Sequence, residues 1–133
     1  MALLPEAYEK AWKNDPAIRA MAEGCLREWR GKIKQAETAW ELTRLIESKQ
    51  DPDKVLSVIL GIMMLDEKDE ETDMLAAGPL EDFLVHSGPE YIDAVEKLAA
   101  KIPRFRSLLS GVWQSTIDLN VWKRIEKVRG QVR

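Results

Sequence analysis

The stretch DPDKVLSVILGIMML, residues 51–65, decides the architecture of this chain. Asp51 can accept hydrogen bonds from the free N–H groups of a first helical turn, and Pro52 fits the first helical position. Every residue of the stretch beyond position 54 is apolar except Ser57 and Gly61. A surface helix would carry polar residues at every third or fourth position, so a helix that is apolar all round must be covered on all sides. The stretch therefore predicts a buried central helix.

Two further features of this stretch refine the prediction. A membrane span needs roughly 20 apolar residues, so the run is too short to cross a bilayer. Gly61 is unfavourable within a helix by about 1 kcal/mol relative to alanine. The close approach of a crossing helix is the expected compensation.

The remainder of the chain is predicted to form short helices separated by proline and glycine. Apolar residues recur at spacings of three and four, and no run alternates with the period of a strand. Gly78-Pro79 and Ser87-Gly88-Pro89 are expected to end helices. The predicted helices, besides 52–65, cover 5–13, 16–30, 32–48, a segment ending near 77, 80–85, 89–102, a segment from 103 and a segment from 119. The predicted fold is all-α, a compact stack of seven to eight short helices around 52–65 with hairpin-like, HEAT-like packing.

Composition points to one soluble domain over residues 1–133. The chain is 45% apolar and 32% charged, which is typical of globular proteins. Leu3 and Leu4 are followed at once by Pro5 and Glu6, which argues against a signal peptide. The single cysteine, Cys25, cannot form an internal disulfide, so a cytoplasmic location is predicted. Cys25 lies on the apolar stripe of the second helix, and we interpret it as a buried packing group.

The charge is distributed unevenly along the chain. Residues 51–100 carry thirteen acidic and three basic side chains, a net charge of −10, whereas residues 101–133 carry a net charge of +6. The acidic charge peaks in DEKDEETD, residues 66–73. This run lacks the glycine of an EF-hand loop, so no metal or cofactor is predicted there. A docking surface for a basic partner, or plain solvated charge, are the alternatives. The candidate partner-binding residues are Asp66, Glu67, Asp69, Glu70, Glu71 and Asp73.

The segments LAAGPLEDFLVHSGPEYID (75–93) and IPRFRSLLSGVWQ (102–114), with Val121-Trp122, carry a family resemblance. Over about residues 36–129 the chain resembles a family of uncharacterised bacterial helical domains, a domain of unknown function. The resemblance implies an all-helical fold and a bacterial source, and it implies no activity. Residues 1–35 lie outside it.

Two carboxylates and two arginines flank the Gly78-Pro79 and Pro103 breaks. Glu81 and Asp82 could act as an acid–base pair together with His86, the only histidine. The favoured alternative is structural: Glu81 and Asp82 would form salt bridges with Arg104 and Arg106, which lock two helical hairpins together.

The basic C-terminal segment and the tryptophans give weaker signals. Lys123, Arg124 and Lys127 share one helix flank, but no nucleic-acid motif accompanies them, and the acidic middle would repel a phosphate backbone. The five tryptophans lie on apolar stripes, so most are predicted to be core. Trp113 lies near a helix end, where an exposed indole can anchor a protein interface.

The sequence favours a non-enzymatic protein-interaction module. The most concrete version is a small bacterial immunity-type protein, an antitoxin that neutralises a toxin through the acidic surface. The alternatives are an acidic phage-type inhibitor of a nucleic-acid-binding protein, and an enzyme or metal-dependent protein that uses Glu81, Asp82 and His86. The sequence leaves open whether the chain forms a homodimer.

Overall fold

The computed structural model describes residues 4–31 and 37–130, and within them it contains only helices and the segments that connect them. The predicted all-α fold is therefore confirmed. The helices are α1 (Glu6–Asn14), α2 (Pro16–Trp29), α3 (Glu37–Ser48), α4 (Pro52–Leu65), α5 (Thr72–Leu75), a π-helical turn (Ala76–Leu80), α6 (Glu81–Lys101), α7 (Pro103–Leu109) and α8 (Leu119–Arg129).

Helix α4 is the buried centre of the molecule, as the sequence predicts. Every residue from Val55 to Met63 is buried, including the polar Ser57. Helices α1, α2, α3, α5, α6 and α7 all pack against α4, while α8 packs on α6 and α7. Because α4 has neighbours on all sides, the apolar residues from Val55 to Met63 are all shielded from solvent.

Three aspartates start helices by capping free backbone N–H groups. The side chains of Asp15, Asp51 and Asp118 accept hydrogen bonds from N–H groups of the following turn, at 3.0, 3.2 and 2.9 Å respectively. Each cap satisfies a donor that the helix itself leaves unpaired. The start of α2, α4 and α8 is therefore encoded locally.

The close approach predicted at Gly61 is made by a side chain of α1. A Cβ atom at Gly61 would lie 2.4 Å from Cζ3 and 2.9 Å from Cε3 of Trp12. The missing side chain lets the Trp12 indole rest directly on the backbone of α4. Glycine at position 61 lowers the helix propensity of α4, and the packing of the Trp12 indole on the helix compensates for this loss.

The predicted break at Gly78-Pro79 is wrong. The chain passes from α5 through the π-helical turn into α6 without leaving helical conformation. Pro79 has no N–H group, and the helix widens here so that the N–H of Glu81 donates to the carbonyl oxygen of Ala76, five residues back. A π-helix is rare, and where it occurs it is mostly a single turn inserted into an α-helical path, as it is here.

The predicted stop at Ser87-Gly88-Pro89 is also wrong, because all three residues lie inside α6. Gly88 is buried, and a Cβ there would approach Cγ1 of Val121 in α8 to 3.1 Å. The glycine thus marks a crossing point of α6 and α8, and the helix continues through the exposed Pro89 to Lys101.

The tryptophans are less buried than predicted. Trp12, Trp29 and Trp122 are half-buried against the core, whereas Trp40 is 63% exposed and Trp113 is 75% exposed. Trp113 follows the end of α7 at Leu109. The first part of the predicted third helix, residues 32–36, lies outside the described residues.

Candidate functional site

The acidic loop, residues 66–73, is organised by its first residue. Asp66 is only 3% exposed. Its Oδ1 accepts a hydrogen bond from the N–H of Glu70 (3.1 Å), and its Oδ2 accepts one from the N–H of Glu71 (2.8 Å). Arg30 at the end of α2 donates from Nη2 to Oδ1 over 3.1 Å. Asp66 is therefore a structural residue that shapes the loop, and it is removed from the predicted partner-binding set.

Arg104 fastens the same loop to the end of α4. Its Nη2 lies 2.7 Å from the carbonyl oxygen of Met63, 2.8 Å from that of Asp66 and 2.9 Å from Oδ1 of Asp69. The last carbonyl groups of a helix lack partners within the helix, so a guanidinium in this place satisfies them and meets the negative end of the helix dipole. The positive charge of Arg104 is thus used within the fold.

The predicted salt bridges between two hairpins are consequently not formed. Within residues 4–31 and 37–130, no ion pair joins Glu81 or Asp82 to Arg104 or Arg106. Arg104 pairs with Asp69 instead, while Arg106 is exposed. Glu81 has a different role, because its Oε1 accepts the backbone N–H of Trp113 at 3.1 Å.

The rest of the acidic loop faces outward. Glu67, Glu70 and Asp73 are exposed, and Glu71 is half-buried. In the part of the chain that the structure describes, none of these four forms an ion pair. Asp69 is exposed too, but its charge is balanced by Arg104. Among the described residues, the loop therefore presents carboxylates without an ion-pair partner, on a backbone that internal contacts hold in place.

A groove runs beside the acidic loop, and we name it the Trp113 groove. It consists of two adjoining clefts of about 570 and about 440 Å³. The clefts share Thr72, Asp73 and Ser107, so they form one depression between α5 and α7. The larger cleft extends to Trp113, Trp122 and Arg129, and the smaller one extends to Asp69, Glu70 and Arg104. One end is thus aromatic and the other acidic.

At the aromatic end, Arg129 is held in a fixed position. Its guanidinium carbon lies 4.7 Å from the centre of the Trp122 ring, and its Nη1 donates to the carbonyl oxygen of Val112 over 3.0 Å. Its Nε is buried and finds no acceptor among the described residues. Because Arg129 covers Trp122, the freely accessible indole of the groove is that of Trp113.

Asp82 and His86 lie one helical turn apart on α6, outside the lining of the groove. Burial raises the pKa of Asp82, the charges of Glu81 and Glu47 act in the same direction, and His86 opposes them. A raised pKa is one requirement of a general acid. Among residues 4–31 and 37–130, no three His, Cys, Asp or Glu side chains are placed to hold a metal ion.

Part of the basic C-terminal segment is occupied by internal contacts. Arg124 binds Asp93 and Glu96 of α6, and its Nε lies 3.0 Å from Oε2 of Glu96. Hydrogen bonds from Arg124 hold the pKa of both carboxyl groups below the usual range. Arg104 and Arg129 are also engaged in internal contacts. Fewer cations are therefore available to a phosphate backbone than the sequence indicates. Arg133 lies outside the described residues.

Cys25 is fully buried, as predicted. Burial raises the pKa of its thiol to about 12, and the charges of Glu28 and Glu41 contribute further. A thiol is nucleophilic as the thiolate, so Cys25 is unreactive in the folded chain at neutral pH.

Sequence reasoning found the acidic loop and the exposed Trp113 and missed the groove between them. It also missed Arg30, which pairs with Asp66 across 36 positions of sequence. Helical periodicity offers no signal for a pair so far apart. Helices α3 and α4 separate the two residues in sequence, so the pairing has no local signal.

The helices and this groove define the chain as an all-α domain with a mixed aromatic and acidic surface site. The chain belongs to a family of unknown function, DUF6869, whose model matches residues 28–132. The predicted resemblance over 36–129 falls inside that match, while the motif pattern and the bacterial source remain predictions. No curated protein and no solved structure matches the chain. None of the helices in the described ranges has both the length and the apolar character that a membrane span requires.

Proposed function

We propose that this protein is a non-enzymatic bacterial interaction module that binds a basic partner protein through the acidic loop. In its most concrete form it is a cytoplasmic immunity-type protein that neutralises a toxin. The observation that carries the proposal is the anchored loop whose exposed carboxylates, on Glu67, Glu70 and Asp73, form no ion pair with any described residue. Such a surface accelerates association with a basic face and selects against acidic partners.

The rigidity of the loop supports binding over plain solvated charge. Asp66 caps two loop N–H groups, and Arg30 and Arg104 attach the loop to the body. A loop held in one shape loses little conformational entropy when a partner docks. The exposed indole of Trp113 lies in the adjoining groove, and exposed tryptophan is a frequent hot-spot residue.

The test is an affinity capture from the host lysate, followed by a protection assay. The bait is the tagged full chain, and the variant carries Glu67→Gln, Glu70→Gln and Asp73→Asn. A matched control removes three exposed carboxylates from other helices. The control substitutions are Glu23→Gln, Glu90→Gln and Glu126→Gln.

We expect one basic protein to be captured in stoichiometric amount by the wild type and by the control. That protein should be toxic when it is produced alone, and co-expression of the wild type should restore growth. The acidic-loop variant should lose both capture and protection. Equal protection by this variant would sink the proposal. Capture of a nucleic-acid-binding protein that is not toxic would favour the phage-type inhibitor instead.

A further inference from the structure

The Trp113 groove has two ends of different chemistry, and Asp73 lies where they meet. It lines both clefts together with Thr72 and Ser107. Toward one side lie Asp69 and Glu70, and toward the other lie the two indoles. Asp73 therefore lies where a ligand that spans the two clefts would meet both carboxylate and aromatic surface.

The charged side chains at the acidic end of the groove favour a cationic ligand. Asp69 is neutralised by Arg104, which is bound at 2.9 Å. Within the described ranges, Glu70 and Asp73 form no ion pair. Counting the described residues that line the acidic end, these two carboxylates leave it with a net negative charge, and a positive group placed near them would be attracted to both.

The aromatic surface identifies which cation fits. Trp113 is 75% exposed, so at least one face of its indole is open to a ligand, whereas Arg129 already covers Trp122. A guanidinium stacks on an indole and can donate two parallel hydrogen bonds to a carboxylate. An ammonium can do only part of this, because it is a compact and strongly hydrated point charge.

Arg129 also gives the ligand a direction. Its positive charge is held over the Trp122 ring, so a second cation is disfavoured on that indole. The ligand's guanidinium is therefore expected to stack on Trp113 instead of Trp122, with its N–H groups turned toward Asp73 and Glu70.

We propose that the Trp113 groove is an arginine-binding site, which receives an arginine side chain from a basic segment of the partner protein between Trp113 and the carboxylates of Asp73 and Glu70. This inference rests on the proposed function and deepens it, because it specifies the chemistry that the groove recognises.

The test uses arginine with both termini capped as the probe, followed by ¹⁵N NMR of the tryptophan indole N–H groups. Capped citrulline has the same shape without the charge and serves as the neutral control. The Trp113 signal is assigned with Trp113→Leu. The exposed Trp40, which lies on α3 and does not line the groove, is the internal reference.

We expect capped arginine to shift the Trp113 indole signal and to leave the Trp40 signal in place. Asp73→Asn should weaken binding about fivefold, the size of one partly exposed ion pair. Capped lysine should bind more weakly than capped arginine, and capped citrulline should give no saturable shift. Equal shifts with citrulline, no Trp113 shift at roughly tens of millimolar arginine, or unchanged affinity in Asp73→Asn would each overturn the inference.

The two proposals fail in distinguishable ways. Partner capture that depends on the acidic loop, without arginine binding at Trp113, would remove the groove inference and leave the proposed function standing. Specific arginine binding without a captured partner would overturn the proposed function, and it would leave the groove as a site for arginine with no basic partner protein to supply it. Since Asp73 and Trp113 are both exposed, these variants should keep the wild-type fold, which the amide spectrum checks.

Discussion

Gly61 shows how one missing side chain joins the first helix to the centre of the protein. Gly61→Ala should gain roughly 1 kcal/mol of helix propensity. The new Cβ would meet Trp12 at 2.4 Å, far inside contact distance, and a rigid indole packed against the core cannot rotate away freely. Overpacking of this kind costs about 1–3 kcal/mol, so we expect a net loss of stability.

Chemical unfolding of Gly61→Ala, followed by circular dichroism, measures that loss. The matched experiment adds Trp12→Leu, which removes the clashing ring. The cost of Gly61→Ala should largely vanish in the Trp12→Leu background. A cost that is the same in both backgrounds would show that Trp12 is not the obstacle.

Asp66 and Asp69 lie in the same loop, yet their substitutions should differ in effect. Asp66 is buried, accepts two backbone hydrogen bonds and pairs with Arg30. Asp66→Asn should lower the free energy of unfolding by about 2 kcal/mol, because it leaves a buried donor and a guanidinium without their carboxylate. Asp69 pairs with Arg104 in a setting where both side chains are more than a third exposed, so Asp69→Asn should cost less than about 1 kcal/mol.

Denaturant titration of the two single variants measures this contrast under identical conditions. Asn is well tolerated at the positive φ of 54° that residue 69 adopts, so backbone strain does not confuse the comparison. Equal losses for the two variants would contradict the structural role given to Asp66.

At the scale of elements, α6 shows that a proline inside a helix can be tolerated at a cost. Pro89 is exposed within a 21-residue helix and cannot donate to the carbonyl oxygen of Val85. Pro89→Ala should therefore stabilise the protein by about 1–3 kcal/mol. Pro52→Ala, at the first position of α4, is the control and should be close to neutral, since no helical hydrogen bond is missing there.

Differential scanning calorimetry of these two proline variants gives the measurement. A higher melting temperature for Pro89→Ala alone is the expected outcome. A decrease would show that the proline stabilises the fold more by restricting the unfolded chain than it weakens the helix.

The elements divide into those that local sequence determines and those that packing determines. The start of α4 could be predicted because Asp51 and Pro52 are local signals, and its burial followed from its apolar composition. The continuation of α6 through Ser87-Gly88-Pro89 could not be predicted, since Gly88 is accommodated through Val121, which is 33 positions away. Long-range contacts of this kind override local propensity.

The candidate site divides in the same way. The acidic loop is a local run of charge, so the sequence shows it directly. The groove requires α5, α7 and α8 to meet, and the loop is fixed by Arg30 and Arg104, both remote in sequence. Only the three-dimensional arrangement separates the structural Asp66 from the exposed Glu67, Glu70 and Asp73.

For the molecule as a whole, one core joins the family-matched segment to residues that precede it. Ala22, Cys25 and Leu26 of α2 are buried in the same cluster as α4, yet they lie before the start of the match at residue 28. The buried residues of α2 therefore share one hydrophobic core with the family-matched segment. When the chain unfolds, titratable groups from both segments should lose their buried surroundings in the same transition.

Alkaline pH tests the shared core, because titratable groups from both segments have raised pKa values in the folded chain. The thiol of Cys25 has its pKa raised from 9.0 to about 12 in the folded chain, chiefly by burial. The pKa of Tyr8 is raised by burial and by the charge of Asp53, and that of Tyr91 is raised by burial and by its hydrogen bond to Asp53. Between about pH 9 and pH 12 the unfolded chain loses these protons while the folded chain keeps them.

The unfolded state then binds fewer protons, so the free energy of unfolding must fall as the pH rises through this window. It should be unaffected by these groups below the ordinary thiol pKa. Cys25 alone contributes a slope of up to about 1.4 kcal/mol per pH unit. Denaturant unfolding at neutral pH and at about pH 10 should show the decline, and Cys25→Ala should reduce it by the share of one group. The same alkaline decline in Cys25→Ala and the wild type would mean that the thiol ionises equally in both states, against the burial that places it at the centre of the shared core.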